Sequence, residues 1–335
     1  MTATILGIES SCDETSAAVV ADGRIVLSNV VRTQYELHER FRGVVPEIAC
    51  RAHAETITAV IDEAVSISNA RVPDISAVAV TSTPGLIGSL LVGVAAAKAL
   101  SSAWNVPLIA VNHVEAHIHS VQLAPEPAPY PHAALVASGG HTALYLASAE
   151  GKYEMLGRTT DDAAGEAFDK VAAILSLPYP GGPAVAKAAE AGDPRAVRFP
   201  RTLLGEKSLD FSFSGIKTAV LYHVRGQDAA SRTAKSGINV ADVAASFQEA
   251  VADVLVEKLI RAAKAARTKN IALAGGVSAN KRLREKLAER AKSVKLSAYW
   301  PPMEYTGDNA AMVAGLGYHL FKAGAYADLT LEAVP

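Results

Sequence analysis

The 335-residue chain predicts an α/β protein of two lobes with a cleft between them. Three observations carry that expectation. The same order of strands, turns and helices runs twice along the sequence. Glycine-rich turns fall at matching points of that pattern. A histidine pair at helical spacing follows a strand, and strand-to-helix junctions are where α/β proteins commonly place their sites.

The first pass begins with Ile5–Val31, which reads as strand, Gly/Ser/Asp-rich turn, strand, tight turn at Asp22-Gly23, and strand. A long amphipathic helix is expected at about Ile48–Ser66. Then come a strand at Ile75–Val80, the turn Thr83-Pro84-Gly85, a helix to Trp104 and a strand ending at Val111. The second pass begins at Ala133–Gly157, with the turn Ser138-Gly139-Gly140-His141 between its first two strands and another at Glu150-Gly151. A helix at about Val240–Ala266 follows. The strand Asn270–Ala274, the turn Gly275-Gly276, a helix through Arg290 and the strand Val294–Ala298 complete it. Residue identity between the halves is slight, so only element order repeats, and that order implies two α/β lobes.

Three turns have the composition of anion cradles. Ser138-Gly139-Gly140-His141-Thr142 joins two strands, and its glycines let backbone N–H groups approach a phosphate. Gly181-Gly182-Pro183 reads as a second turn. Gly275–Asn280 leads from a buried strand to a helix N-terminus, which carries partial positive charge. Singly, each reads as ordinary turn chemistry; together, at matching points, they point to a nucleotide.

Composition narrows the class. Half the residues are hydrophobic and 20% are charged, a globular profile. No uninterrupted apolar run of about 18 residues occurs, which argues against a membrane span. Residues 1–9 lack the basic start and apolar core of a signal peptide. Cys12 and Cys50 are the only cysteines, which suits a reducing cytoplasm better than a disulfide framework. The net charge of −2 gives no global attraction for nucleic acid, so RNA contact requires a local basic patch or a partner protein.

His113 and His117 are four residues apart, about 40° around a helix, and project side by side. Two imidazoles so placed can share a metal ion; the same spacing equally suits a core or solvated face. Zinc proteases of the HExxH type need a glutamate directly after the first histidine. That position is Val114, and Glu115 points away, so peptide hydrolysis is not expected. Asp308, before the apolar helix Ala310–Leu320, reads either as a helix cap or as a carboxylate ligand to the same metal. Two histidines and one carboxylate are the pattern of non-haem ferrous sites, with zinc or manganese also compatible.

A set of runs in fixed order resembles the bacterial tRNA N6-adenosine threonylcarbamoyltransferases, the TsaD/Gcp family. They are Gly7–Thr15, Gly43–Ala49 with Arg51 and His53, Thr83–Leu86, His113–His117, Ser138–Thr142, Gly165–Lys170, Tyr179–Pro183, Phe211–Lys217, Gly275–Asn280 and Gly307–Ala310. The resemblance implies the two-lobed actin-like ATPase (ASKHA) fold with an interlobe nucleotide cleft. Its lobes would be 1–127 and 128–335, with the last helix packing back on the first. It also implies transfer of the threonylcarbamoyl group from threonylcarbamoyl-adenylate to N6 of adenosine 37, in tRNAs reading codons that begin with A.

By the same resemblance His113, His117 and Asp308 bind one metal, expected to be Fe(2+), another divalent metal being compatible. Val136, Ala137, Ser138, Gly139 and Gly140 form a substrate loop, and Asp169, Gly182 and Asn280 contact the adenylate or ATP. Asp13 and Glu14 lie in the turn that faces the phosphates; no catalytic residue is assigned. Two positions depart from the family pattern. Val136 replaces a tyrosine ligand found in archaeal and eukaryotic relatives, and Ala186 replaces an aspartate found in some bacterial members. The implied partners are tRNA, a catalytically degenerate TsaB-like paralogue and a TsaE-like P-loop ATPase. For the RNA path, Arg32, Arg40, Arg42 and Arg51 with His38 and His53 are the candidates, while Lys281, Arg282, Arg284 and Lys286 read as a solvated helix face. The rival reading is an ATPase of the actin/heat-shock type acting as a binding module, which gives the His113–His117–Asp308 set no purpose.

Overall fold

The computed structural model describes residues 3–202, 207–226 and 237–335. Its contacts divide into two units. One comprises Met1–Pro127, Ala149–Lys152 and Trp300–Pro335; the other comprises Ala128–Ser148 and Tyr153–Tyr299.

In the first unit, strands β1 (Thr4–Glu9), β2 (Glu14–Ala21) and β3 (Ile25–Thr33) form an antiparallel meander. Asp22 and Gly23 both have positive φ (49° and 73°), the backbone of a tight hairpin turn. A single helical turn, α1 (Tyr35–His38), precedes the long helix α2 (Pro46–Ser68). Then come β4 (Ile75–Thr83), α3 (Ile87–Trp104), β5 (Leu108–Asn112) and α4 (His113–His119). The sheet order is β3-β2-β1-β4-β5, with β4 parallel to β1 and β5 parallel to β4.

Alternation along β1 decides what covers each face. Leu6 and Ile8 join the core built with Ile57, Val60 and Ile61 of α2 and Val94 and Ala97 of α3. By length and composition alone, α3 is apolar enough to cross a membrane, although no unbroken apolar run of that length exists. In the fold it packs on β4 and α2, with Leu90, Gly93, Val94 and Ala97 buried. The C-terminal residues cover the β5 edge, where Ala327 N–H donates to Leu108 O (2.9 Å); an open edge would invite foreign strands.

The second unit repeats the topology. Strands β6 (His132–Ala137), β7 (Thr142–Ala149) and β8 (Lys152–Arg158) come first, followed by helices α5 (Ala164–Ile174), α6 (Gly181–Ala189), α7 (Ser214–Arg225) and α8 (Val240–Ala265). They lead to β9 (Asn270–Ala274), α9 (Lys281–Ser293) and β10 (Ser297–Tyr299). The order β10-β9-β6-β7-β8 mirrors the first sheet strand for strand. Two local readings differ from the sequence expectation. Gly181-Gly182-Pro183 is the first turn of α6 rather than a loop. The last strand starts three residues late, because α9 runs to Ser293 and Lys295 (φ 59°) then turns the chain.

The final helix, α10 (Ala310–Lys322), belongs to the first unit and covers the other face of β1, β2 and β4. It lies so close that a Cβ on Gly7 would collide with Ala310 O and stand 2.7 Å from Ala314 N. Ser16 of β2 fixes its start, its Oγ accepting from Ala310 N–H (2.9 Å). Gly7→Ala is therefore expected to push α10 off the sheet and cost about 1–3 kcal/mol in chemical denaturation. Unchanged stability would show that the helix adjusts freely.

Candidate metal centre

The first-unit site grows from the junction of β5 and α4. Asn112 caps α4, its Oδ1 accepting from Val114 N–H (2.9 Å) and Glu115 N–H (3.1 Å), so the helix begins at His113. His113 and His117 then share one face, ring centroids 4.6 Å apart and nearly perpendicular, and both are buried. Asp308 arrives just before α10. Its Oδ1 lies 3.0 Å from His117 Nε2 and 3.6 Å from His113 Nε2. The cap of α10 is Asn309, whose Oδ1 accepts from Met312 N–H (3.1 Å). The alternative left open by the sequence is thus resolved: Asn309 closes the helix and the Asp308 carboxylate faces the histidines.

One ligand atom from each of the three residues lies within 4.8 Å of the others. Separations of 3.0 and 3.6 Å suit neighbouring ligands of one cation held by bonds of about 2.0–2.2 Å. His117 Nδ1 is buried with no hydrogen-bond partner, so that ring is held mainly through its Nε2 side. The donor set, two imidazoles and a carboxylate, fits a divalent metal.

Behind His113 lies a residue that carries no role in the sequence pattern. Glu9 ends β1 and has no solvent exposure. Its Oε1 accepts from Ser11 N–H (2.6 Å), and its Oε2 accepts from Thr81 Oγ1 (2.6 Å) and faces His113 Nδ1 (3.0 Å). Burial alone would raise the Glu9 pKa, but His113 outweighs it and holds the carboxyl below its usual range. Burial likewise opposes charge on His113, yet Asp308 and Glu9 together lift it to about 9. A carboxylate on Nδ1 fixes the tautomer that leaves Nε2 for a metal. The signal was present in the sequence: an acid closing an otherwise apolar strand.

Asp13 and Glu14 sit in and just after the β1–β2 turn, both buried. Burial, then Asp308, pushes Glu14 well above the usual carboxylate range, and burial also raises Asp13. Burial and Glu14 in turn push up the Tyr35 hydroxyl. A divalent cation among these acids would relieve their repulsion. His38 and His53, expected on an RNA path, are buried instead. His53 spans Thr15 Oγ1 (2.7 Å) and Cys12 O (2.9 Å), and His38 Nδ1 accepts from Val45 N–H (3.3 Å). Both hold the turn and its flanking loop. Arg32 pairs with Glu63, and Arg40 stacks on Phe41. Arg282 and Lys286 pair with Glu249, as a self-satisfied helix face would.

The other expected residues lie in the second unit. Val136 and Ala137 are fully buried at the end of β6, so only their backbone is available to a ligand. Ser138 N–H donates to His141 O (2.7 Å), and His141 N–H donates to Ser138 Oγ (3.1 Å), closing the turn. The amides of Gly139 and Gly140 meet no protein acceptor among the described residues, and the space beside each Cα is open. Gly165 N–H donates to Ser138 O (3.1 Å), which docks the start of α5 on this turn. Gly275 (φ 84°) passes so close to Ala137 O that no side chain would fit, so the Gly275–Asn280 turn begins beside the loop. Asp169 Oδ1 accepts from Gly181 N–H (2.7 Å) and secures the start of α6, where Gly182 faces open space. Asn280 is engaged within the protein. Its Oδ1 caps α9 through Leu283 N–H (3.0 Å), and its Nδ2 donates to Gln248 Oε1 (2.7 Å). It also lines a small pocket with Phe168, Gln248, Val277 and Leu283.

Comparison with known proteins gives the family. A family model described as TsaD, tRNA N6-adenosine threonylcarbamoyltransferase, matches residues 25–315. Proteins of that description from Anaeromyxobacter dehalogenans (strain 2CP-C) and Symbiobacterium thermophilum are 50% and 51% identical. Each alignment covers 99% of this chain, and 98% and 95% of the respective relative. Among solved structures, HypF of T. kodakarensis has a TM-score of 0.64 at 15% identity, over 98% of this chain and 49% of that one. The ROK hexokinase from Thermus thermophilus gives 0.51 at 14%, over 97% and 99%. At such identity these likenesses speak for the fold alone, and the actin-like (ASKHA) class expected from the sequence is the one they show.

Two outcomes are expected of the metal centre. His113→Ala and His117→Ala should lose most of the bound metal, and Glu9→Gln should bind it roughly 10- to 100-fold more weakly, all read by metal analysis and titration. Full occupancy in both histidine variants would sink the assignment. With His113 at about 9, its ring is protonated at pH 7.5 in the metal-free chain, so metal uptake should release about one proton. Calorimetry in buffers of different ionisation enthalpy measures that number, and a value of zero would contradict the raised pKa.

Proposed function

Because the chain belongs to the TsaD family of tRNA N6-adenosine threonylcarbamoyltransferases, we propose that it transfers the threonylcarbamoyl group from threonylcarbamoyl-adenylate to N6 of adenosine 37. The acceptors in this reading are tRNAs for codons that begin with A. The observation that carries the proposal is the convergence of His113, His117 and Asp308, backed by Glu9. An ATPase of the actin/heat-shock type would share the fold but has no use for this set.

The reaction joins a weakly nucleophilic exocyclic amine to a carbamoyl carbon, with AMP as leaving group. Each unit contributes residues suited to one part of that problem. In the first, His113, His117 and Asp308 would hold one divalent cation, Fe(2+) in this reading, which supplies Lewis acidity toward a carbonyl and a template for the reactants. Glu9 keeps the His113 proton on Nδ1, so that Nε2 stays directed to the ligand position. In the second, the open Gly139 and Gly140 amides would hydrogen-bond an anionic phosphate, as turns of this kind do. Val136 and Ala137 would contact the adenylate by backbone only, with Ser138 closing the loop. Asp169, Gly182 and Asn280 complete the adenylate or ATP site in this reading. Their supported part is indirect, through the α6 and α9 starts that Asp169 and Asn280 hold in place.

The reading includes lobes at 1–127 and 128–335 with the last helix, α10, packing back on the first, a cytoplasmic location without membrane attachment, and two protein partners. These are a TsaB-like paralogue on the first lobe and a TsaE-like P-loop ATPase. A net charge of −2 supports the need for partners, since an RNA substrate demands several neutralised phosphates.

Nucleoside mass analysis provides the test. tRNA lacking the modification is incubated with the chain, its partners and threonylcarbamoyl-adenylate. Threonylcarbamoyladenosine should form, and His117→Ala should reduce it by at least 100-fold. ATP hydrolysis without any modified nucleoside would favour the binding-module alternative.

A further inference from the structure

The repeated topology lets equivalent helix ends be compared directly. In the first unit, α2 and α3 each end on an asparagine in the left-handed region, Asn69 (φ 55°) and Asn105 (φ 53°). Asparagine is the side chain that best tolerates this region. The equivalent helices of the second unit, α8 and α9, lead instead to Arg267 (φ 54°) and Lys295 (φ 59°). Both unusual residues carry positive charge. Their N–H groups make matching bonds, Arg267 to Lys264 O and Lys295 to Lys292 O, each 3.2 Å. Asn69 makes the same bond, but to the uncharged Ser66.

The two loops lie side by side, since Ser297 N–H donates to Lys269 O (2.8 Å). Lys264, Arg267, Lys269, Lys292 and Lys295 therefore gather at the start of β9 and β10. All five are exposed, and none has a carboxylate partner among the described residues. No Asp or Glu occurs in 258–284 or in 290–303. Elsewhere on the same helices three cations are paired with carboxylates, Arg282 and Lys286 with Glu249 and Arg290 with Glu257. Helix dipoles favour Lys264 and Lys292 in the last turns. They do not explain Arg267, Lys269 and Lys295, which lie beyond the helices.

We infer that this end of the second unit is a docking surface for the phosphate backbone of RNA. The inference rests on the proposed tRNA substrate. Clustered, unpaired cations on an otherwise slightly acidic chain are the electrostatic footprint of a polyanion partner. The surface is separate from the Ser138–Gly140 loop, which lies at the opposite end of the same sheet. Strands of five and six residues put those ends roughly 17–20 Å apart. A folded tRNA can span that distance, so the patch would hold a part of the molecule away from the modified base and improve its binding without touching the chemistry.

The test is a five-fold variant of the full chain: Lys264→Gln, Arg267→Asn, Lys269→Gln, Lys292→Gln and Lys295→Asn. The two asparagines are those the first unit uses at the same positions, so the melting temperature should stay level or rise. Binding of an unmodified tRNA transcript is measured between 50 and 200 mM salt. The variant should bind roughly 10- to 100-fold more weakly at 50 mM, and the slope of log affinity against log salt should flatten by about 2–4. Metal content should not change. Equal affinity and equal slope in variant and wild type overturn the inference, including the case in which neither binds. Unchanged tRNA binding with loss of a protein partner also overturns it and assigns the surface to an acidic protein. Whether the chain modifies tRNA at all is read separately, by nucleoside analysis of the wild type.

Discussion

The first unit is organised around one buried charge. An ionised carboxylate without solvent is destabilising by several kcal/mol unless its oxygens are satisfied. Glu9 meets that demand with the backbone of Ser11, the hydroxyl of Thr81 and the ring of His113. These come from the β1–β2 turn, from β4 and from α4. Three elements are thus brought into register on a single side chain, and the His113 ring is oriented by the same bond. Gly7, two residues earlier, sets the approach of α10 and with it the position of Asp308. A short stretch of β1 therefore fixes α4, which carries His113 and His117, and the start of α10, which follows Asp308.

The sequence made the larger framework legible because strand alternation and helix spacing are local properties. The doubled order of elements, the helix beginning at His113 and the strand Asn270–Ala274 could all be read from periodicity and turn chemistry. The grouping of His113 and His117 with Asp308 became legible through the family resemblance, since nothing in spacing links position 117 to position 308. What escaped detection depended on tertiary contact. Glu9 lay inside a recognised run, yet its role needs Thr81 and His113 as neighbours. His38 and His53 looked like surface candidates until burial showed them bracing the loops around the first turn. At Gly181 two glycines and a proline mark loops and helix starts alike, and the bond from Gly181 N–H to Asp169 that separates the two is non-local.

The basic residues teach a related lesson. Charge clusters in sequence do not report charge on the surface. Lys286 is nearly buried against Glu249 and Asp253, contributed by α8, some 35 positions earlier in the chain. Arg267 and Lys295 attract little notice in a linear scan. They stand out only when the two sheets are aligned and the same backbone position is seen to hold asparagine in one unit and a cation in the other.

Alignment of the sheets also explains how one topology serves opposite charges. In both units the informative groups lie at the carboxyl ends of the parallel strands, where such sheets bind ligands. In the first unit those ends carry side chains: Glu9 as the last residue of β1, His113 after β5, and the acids Asp13 and Glu14 in and just after the turn. That collection attracts cations; burial raises the pKa values of Glu14 and Asp13, and the Asp308 carboxylate adds to the shift. In the second unit β6, the counterpart of β1, ends on Ala137, and the glycines Gly139 and Gly140 follow one residue later. With no side chains to intervene, the Gly139 and Gly140 amides are left open, and bare N–H groups attract anions. The repeat supplies the geometry twice. The choice between acid and glycine at the strand ends decides which sign of ligand each copy can hold.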